Sequence, residues 1–231
     1  MKPIRLMRGF LTVGSWTLMS RVLGFVRDAL IAAYLGAGPA AEAFVVAFSL
    51  PNMFRRFFAE GTLNVAFVPM FSRKVEAGTD ARGFAEDTLS ALAGILVTFT
   101  LLSMIIMPFM VSAMAAGFIG DSRFDLAVHY GRITFPYVLF ISLGALFSGI
   151  LNATGRFAAA AAAPVMLNVI LSTAMIFAHF MGFDVATALV WAVPVAGAVQ
   201  LSIVWIAAAK VGFSIRPRLP RMTPELNIFR V

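Results

Sequence analysis

SRVLGFVRD, residues 20–28, and LPNMFRRFFAEG, residues 50–61, are the two stretches that decide the fold. Each lies within a long apolar segment of the length that is typical of a membrane span. A charged side chain at the centre of a spanning helix costs about 2.5–3.5 kcal/mol even on the lenient insertion scale. Charged groups at this depth are therefore predicted to line a hydrated space walled by protein, which is the predicted functional site. The two stretches carry Arg21, Arg27, Asp28, Arg55, Arg56 and Glu60.

Helical periodicity collects the polar residues of each segment on one face. In the first segment Arg21 and Asp28 point the same way within about 20°, and Gly14, Thr17 and Gly24 fall on the same face. The second segment has a polar stripe, with Arg55 beside it, that consists of Ser49, Asn52, Arg56 and Glu60. The pattern predicts two amphipathic transmembrane helices whose polar faces border the hydrated space.

The composition indicates an integral membrane protein. Of the 231 residues, 61% are hydrophobic and 13% are charged, whereas a soluble domain is about 45–50% apolar and about 25% charged. The absence of cysteine excludes disulfides, thiolate catalysis and cysteine-ligated metals. The charged N-terminus resembles that of a signal peptide, but no small-residue cleavage site follows, so we interpret this segment as a first span.

We predict an all-α membrane protein with six transmembrane helices, each long enough to cross a hydrocarbon core of about 30 Å. The predicted spans are residues 8–35, 42–71, 88–114, 126–151, 158–180 and 185–209. A charged loop is expected between the second and third spans. We predict that residues 1–211 form a six-helix lobe and that residues 212–231 form a cytoplasmic tail leading to a second lobe, so that the chain is a truncated or partial product.

The distribution of Lys and Arg predicts the orientation in the membrane. The N-terminus, the loop after span two, the turn after span four and the tail hold nearly all the basic loop residues, whereas the alternate loops hold only Arg123. By the positive-inside rule, both termini are expected to lie in the cytoplasm. The net charge of +7 therefore reflects topology, and it does not indicate a nucleic-acid partner.

A cavity with several arginines is suited to binding an anion, because guanidinium matches phosphate and carboxylate in a bidentate fork and stays charged at any relevant pH. We predict an anionic amphiphile, such as a sugar linked to a polyprenyl pyrophosphate. The predicted substrate-binding residues are Arg21, Arg27, Arg55 and Asn52. The predicted gate or charge partners are Asp28, Glu42, Arg56 and Glu60.

Several of these residues also have structural interpretations. Arg56 and Glu60 are four residues apart and can pair within the helix, which leaves Arg56 as well suited to a structural role as to a functional one. Arg27 and Asp28 are adjacent, and side chains one residue apart on a helix are not expected to face each other. His129 and His179 lack ligand spacing with a carboxylate. With no nucleophile–base set in the sequence, we expect no enzyme, no metal and no cofactor.

The two decisive stretches resemble a known family. Residues 20–28 resemble the signature SRVLGF-x-RD of MurJ/MviN-type lipid II flippases, and residues 47–69 resemble that family's AF-x-LPN-x-x-RR-x-FAEG-x-x-x-x-AFVP. Residues 133–137, 150–157 and 189–193 resemble later landmarks of the family. The resemblance covers nearly the whole chain, and the first two motifs are long and specific.

The resemblance implies a member of the superfamily that includes multidrug extruders and polysaccharide exporters, with two six-helix lobes plus a C-terminal helix pair. It implies movement of undecaprenyl-pyrophosphate-linked peptidoglycan precursor to the outer leaflet of the bacterial inner membrane by alternating access. The implied partners are lipid II, membrane lipid and the missing C-terminal lobe. Glu42 stands where relatives often have Asp. The cavity arginines of the family correspond to Arg21, Arg27 and Arg55, its first-helix aspartate to Asp28, and its second-helix glutamate to Glu60.

Two alternatives to a lipid II flippase remain open at this point. The chain could belong to a flippase for another lipid-linked glycan, or it could be a membrane fragment that does not transport. Sequence beyond Val231 separates the fragment from the flippase, and an assay of the leaflet that holds the precursor separates the two kinds of flippase.

The predicted topology is testable by cysteine labelling, which is straightforward because the chain has no cysteine of its own. A cysteine at Gly38 or Asp121 should react with an impermeant reagent added outside intact cells, since both positions are predicted to lie in outer loops. Cysteines at Lys74 and Arg156 should be protected until the membrane is permeabilised. Labelling at Lys74 in intact cells would refute the orientation.

Overall fold

A computed structural model describes residues 3–56 and 67–215, and within the first helix it describes side chains from Thr12 onward. All regular secondary structure in these ranges is helical. The helices are α1 (Pro3–Leu35), α2 (Pro39–Arg55), α3 (Val68–Glu76), α4 (Ala81–Ile105), α5 (Met107–Met114), α6 (Ser122–Thr134), α7 (Tyr137–Ala153), α8 (Phe157–Met181) and α9 (Val185–Lys210). A short 3-10 turn, Ala116–Phe118, connects α5 to α6.

Aspartate N-caps determine where three of the helices begin. The carboxylate of Asp80 accepts a hydrogen bond from the backbone N–H of Gly83 at 2.7 Å and starts α4. Asp184 accepts one from the N–H of Thr187 at 2.8 Å and starts α9. Asp121 caps α6 in the same way. Each cap satisfies an N–H group that has no partner within its own helix.

The helices differ from the predicted spans mainly in the middle of the chain, and α1 begins at Pro3, five residues before the predicted start at residue 8. The first span ends at Leu35, and the last two spans match α8 and α9 within one residue. The predicted charged loop is largely helical, because it contains α3 and the first turns of α4. The predicted third span breaks at Ile106 (φ −84°, ψ 11°), where the following Met107 precedes Pro108 and is therefore disfavoured in the interior of a helix.

The predicted second and fourth spans also differ from the structure. The second corresponds to α2 and α3, and the segment between them, residues 57–66, lies outside the described residues. The fourth corresponds to α6 followed by α7, with Pro136 as the N-cap of α7. Proline lacks the N–H that would continue the hydrogen-bond ladder, which accounts for the break.

Four helical segments of the described residues are long and apolar enough to cross a membrane: α4, α6 with α7, α8, and α9. They correspond to the third to sixth predicted spans, so the prediction of an all-helical membrane protein is confirmed. The count of six spans is not confirmed by this criterion. Charges at Arg21, Arg27 and Asp28 lower the hydropathy of α1, and α2 has 17 residues.

The helices enclose an apolar core that has two parts. The larger part lies among α2, α6, α7, α8 and α9, with Tyr137 as its largest fully buried side chain. The smaller part packs α3 and α4 against α7 and the end of α9. Outside these cores, α1 packs mainly along α8, whereas α2 packs mainly along α6. The two helices that carry the ionisable residues are therefore held by different neighbours.

The contact between α7 and α9 depends on a glycine. A Cβ built on Gly197 would lie 2.8 Å from Cδ2 of Tyr137 and 3.1 Å from Cβ of Phe140. Tyr137 is fully buried, and the Cβ of Phe140 is fixed to the backbone. The close approach of the two helices therefore requires glycine at this position.

We expect Gly197→Ala to lower the free energy of unfolding by about 1–3 kcal/mol, the usual cost of overpacking a core. Thermal unfolding of the purified protein in detergent measures this. Gly94→Ala is the matched control, because Gly94 is also within a helix and a Cβ there meets nothing within 4 Å. Equal stability of the two variants would show that the contact between α7 and α9 tolerates a Cβ at position 197.

Candidate functional site

Part of the polar face of α1 lines an open cavity at the surface of that helix. Val13, Gly14, Thr17, Leu18 and Arg21 line a cavity of about 330 Å³. The side chain of Arg21 is exposed there. Gly14 and Thr17 have small side chains, so they leave space beside the guanidinium of Arg21. The arrangement offers an accessible guanidinium within a helix that the sequence predicts to span the membrane.

Arg27 lies two turns farther along α1 and is held by two different groups. Its Nε and Nη2 both donate to Oδ1 of Asp28, at 3.0 and 2.7 Å. Its Nη1 donates to Oδ1 of Asn168 on α8 at 2.9 Å. The expectation that Arg27 and Asp28 would not face each other is wrong. The direction of the Cβ atoms limits short side chains, whereas the long arginine side chain folds back to reach its neighbour.

The Arg27–Asp28 pair is asymmetric in its exposure. The side chain of Arg27 is 19% exposed and that of Asp28 is 63% exposed. Asp28, predicted as a gate or charge partner, pairs with Arg27 in the structure. Desolvation of the arginine is thus offset by one carboxylate and one amide oxygen.

Asp28 and Glu42 border a second cavity, of about 440 Å³, between the end of α1 and the start of α2. Its other lining is mainly apolar and includes Ile31, Val45 and Phe118. Both carboxylates are paired with an arginine, Asp28 with Arg27 and Glu42 with Arg123. The two cavities thus lie on opposite sides of the Arg27 position along α1.

Arg123 connects the start of α2 to the start of α6. Its Nη1 donates to Oε2 of Glu42 at 2.7 Å, and its Nε donates to Oδ2 of Asp121 at 2.7 Å. Its guanidinium also lies over the ring of Phe118, 4.7 Å from the centroid. Glu42, predicted as a gate residue, is therefore part of a three-residue charge cluster at this end of the helices.

The predicted site residues of α2 differ in their surroundings. Asn52 donates from Nδ2 to the carbonyl of Phe48 in its own helix at 3.0 Å. Arg55 is half-buried and Arg56 is exposed. Glu60 lies outside the described residues, and so does the predicted pairing of Arg56 with Glu60.

The residue that the sequence analysis missed is Asn168. It is 5% exposed in the middle of α8 and bridges Arg27 to the backbone of α1. An amide in the middle of a mostly apolar helix is the signal that would have found it, since such a group needs hydrogen-bond partners in a membrane. In the part of the chain that the structure describes, no three His, Cys, Asp or Glu residues form a possible metal site.

The family follows from comparison with known sequences. The family model described as lipid II flippase MurJ matches residues 31–230. This chain belongs to the lipid II flippase MurJ family. A probable lipid II flippase MurJ from Rhizobium tropici is 44% identical over 229 residues, with 96% of this chain and 43% of the relative covered. The Burkholderia cenocepacia lipid II flippase MurJ is 42% identical, with 85% and 39% covered.

Solved structures with a similar fold include two that cover at least 90% of this chain. A lipid II flippase MurJ in an inward closed conformation matches with a TM-score of 0.73 and 23% identity, over 90% of this chain and 43% of that one. A MATE protein in complex with MaD3S matches with a TM-score of 0.72 and 21% identity, over 98% and 53%. The MurJ-family chain thus spans less than half the length of the curated relatives named here. The family is one of transporters rather than of enzymes.

The charge cluster around Arg123 has a measurable electrostatic consequence. Hydrogen bonds from the side chain and the backbone N–H of Arg123 hold the pKa of Asp121 below its ordinary value. A carboxyl with a lowered pKa in the folded state stabilises the fold above its unfolded pKa, and it loses that contribution as the pH falls through the folded pKa.

We therefore expect Arg123→Gln to raise the pKa of Asp121 toward the ordinary aspartate value, so that protonation sets in at a higher pH. Carbon-13 NMR of labelled aspartate carboxyls, assigned with Asp121→Asn, measures this. Asp184 is the internal control, because its pKa is lowered by hydrogen bonds from Thr187 instead. An unchanged Asp121 pKa in the variant would mean that Arg123 does not hold the carboxylate in the membrane-embedded protein.

Proposed function

We propose that the protein to which this chain belongs moves lipid II, an undecaprenyl-pyrophosphate-linked peptidoglycan precursor, from the inner to the outer leaflet for cell-wall synthesis. In this proposal it acts by alternating access in the bacterial inner membrane. Residues 1–211 form the first six-helix lobe, with both termini of this chain in the cytoplasm, and residues 212–231 lead to a second lobe. Family membership supports the proposal.

The observation that carries the proposal is the fixed guanidinium of Arg27. Its contacts with Asp28 and Asn168 use three of the five N–H groups that a guanidinium carries. The remaining two have no partner among the described residues, and they are suited to phosphate oxygens. A guanidinium held in one orientation pays less conformational entropy when it binds an anion than a mobile one does.

The charge balance of α1 and α2 also favours an anion. Among the described side chains of these helices, the acids are Asp28 and Glu42, and the basic residues are Arg21, Arg27, Arg55 and Arg56. Both acids are already paired with an arginine, and the partner of Glu42 comes from α6. We propose Arg21, Arg27, Arg55 and Asn52 as ligands of the pyrophosphate and its neighbouring groups. Asp28, Glu42, Arg56 and Glu60 would act as gate or charge partners.

The membrane potential would assist outward movement of such a substrate. An inside-negative potential favours transfer of an anion to the outer leaflet by about 2.3 kcal/mol per charge per 100 mV. Pairing of Arg27 with Asp28 would then have a second role, because it limits how tightly the cavity holds the pyrophosphate and allows release.

Reconstitution of the full-length protein tests the proposal. Proteoliposomes would be loaded with lipid II, and the fraction accessible to an external glycan-modifying enzyme would be followed over time. Parallel liposomes would contain undecaprenyl pyrophosphate linked to an unrelated glycan. Movement of lipid II alone supports the proposal, whereas movement of only the other glycan, or of neither, contradicts it.

We further expect Arg21→Lys, Arg27→Lys and Arg55→Lys each to weaken lipid II binding about tenfold or more. An ammonium keeps the charge but cannot form the planar fork, and one charge-assisted hydrogen bond contributes roughly 1.5–3 kcal/mol. Binding to the purified full-length variants and growth of a strain that depends on them would be measured. Arg73→Lys, on the exposed side of α3, is the matched control. If all three variants bind lipid II and support growth as the parent does, the role of these arginines is structural.

A further inference from the structure

Asn168 is the one α8 side chain for which the structure gives hydrogen bonds to two separate points of α1 within the described residues. Its Oδ1 accepts from Nη1 of Arg27 at 2.9 Å. Its Nδ2 donates to the carbonyl oxygen of Ser20 at 2.9 Å, with Oγ of the same serine at 3.5 Å. The residue is 5% exposed, so these contacts replace water almost completely.

The chemistry of the two partners determines the orientation of the amide. A guanidinium only donates, so it must face the amide oxygen, and a carbonyl oxygen only accepts, so it must face the amide nitrogen. An aspartate at this position would have no donor for the carbonyl of Ser20. A leucine of similar size would satisfy neither partner and would leave Arg27 without its contact on α8.

Gly24 allows this bridge to form. It lies on α1 between the two contacted residues, and a Cβ built there would lie 3.7 Å from Nδ2 of Asn168. That distance is ordinary van der Waals contact, so alanine fits, but a longer side chain would have to displace the amide. The α1 surface opposite Asn168 is therefore shaped to admit the amide.

We propose that Asn168 is a positioning residue for substrate binding. It fixes the guanidinium of Arg27 by holding it from the side opposite Asp28, and it sets the register of α1 against α8 through the carbonyl of Ser20. The two remaining N–H groups of Arg27 are thereby directed at the anionic part of the substrate. This inference rests on the proposed function, because it assigns Asn168 a role in binding the lipid pyrophosphate.

A double-mutant cycle in the full-length protein tests the inference. The variants are Asn168→Leu, Arg27→Met and the combination, and the measurement is the affinity of each purified protein for lipid II. We expect Asn168→Leu to weaken binding about tenfold, because a hydrogen bond to a charged group is lost. We expect the combined variant to bind no more weakly than Arg27→Met alone, since Asn168 acts through Arg27.

Each outcome of the cycle decides the inference. Parent-like affinity of Asn168→Leu, or losses that add in the combined variant, would overturn it. Should Asn168→Leu fail to fold, Asn168→Ala replaces it in the same cycle, because it removes the same hydrogen bonds and leaves space for water.

Ser172→Ala is the matched control, since Ser172 lies one turn along α8 and its hydroxyl has no hydrogen-bond partner in the structure as described. It should bind lipid II as the parent does.

The parent protein separates this inference from the proposed function. A parent that binds no lipid II contradicts the proposed function, and the inference fails with it. A parent that binds lipid II while Asn168→Leu does so equally well contradicts the inference alone. Gly24→Ala should retain affinity and Gly24→Leu should lose it, and the reverse order would also overturn the positioning role.

Discussion

The structure depends on the high cost of burying an unpaired charge. Arg27 meets this constraint with a carboxylate from its own helix and an amide from α8. These contacts have two consequences. They neutralise part of the charge of Arg27, and they fix the direction of its guanidinium. A single set of contacts thus offsets the desolvation of the arginine and fixes the orientation of its guanidinium.

The same principle applies at the start of α2, where the pairing is made between helices. Glu42 and Arg123 are 81 residues apart in sequence and join α2 to α6. Asp121 holds the arginine from the other side while also capping α6. Charged residues therefore serve twice in this fold: they connect helices to one another and they determine where helices begin.

The local sequence pattern predicted most of the helices, but it could not predict which side chains on different helices contact each other. Spacing alone placed Gly14, Thr17 and Arg21 on one face, and the predicted first span ends at Leu35, as α1 does. Spacing could not reveal that Asn168 contacts Arg27, 141 residues earlier, because periodicity describes one helix at a time. The break at Ile106 and the helix in the charged 72–87 region were missed because hydropathy does not report proline geometry or aspartate capping.

Among its described side chains, α1, which carries Arg21 and Arg27, contributes to the core only partly buried residues near its C-terminal end. Between residues 12 and 35 no side chain of α1 is fully buried, whereas α9 buries residues along its whole length. Local stability in a protein follows such differences in buried contact. We therefore expect α1 to open locally more readily than α7 and α9. Substitutions on the exposed face of α1 are therefore expected to change the stability of the fold less than substitutions in α7 or α9, provided that the contacts of α1 with α8 are kept.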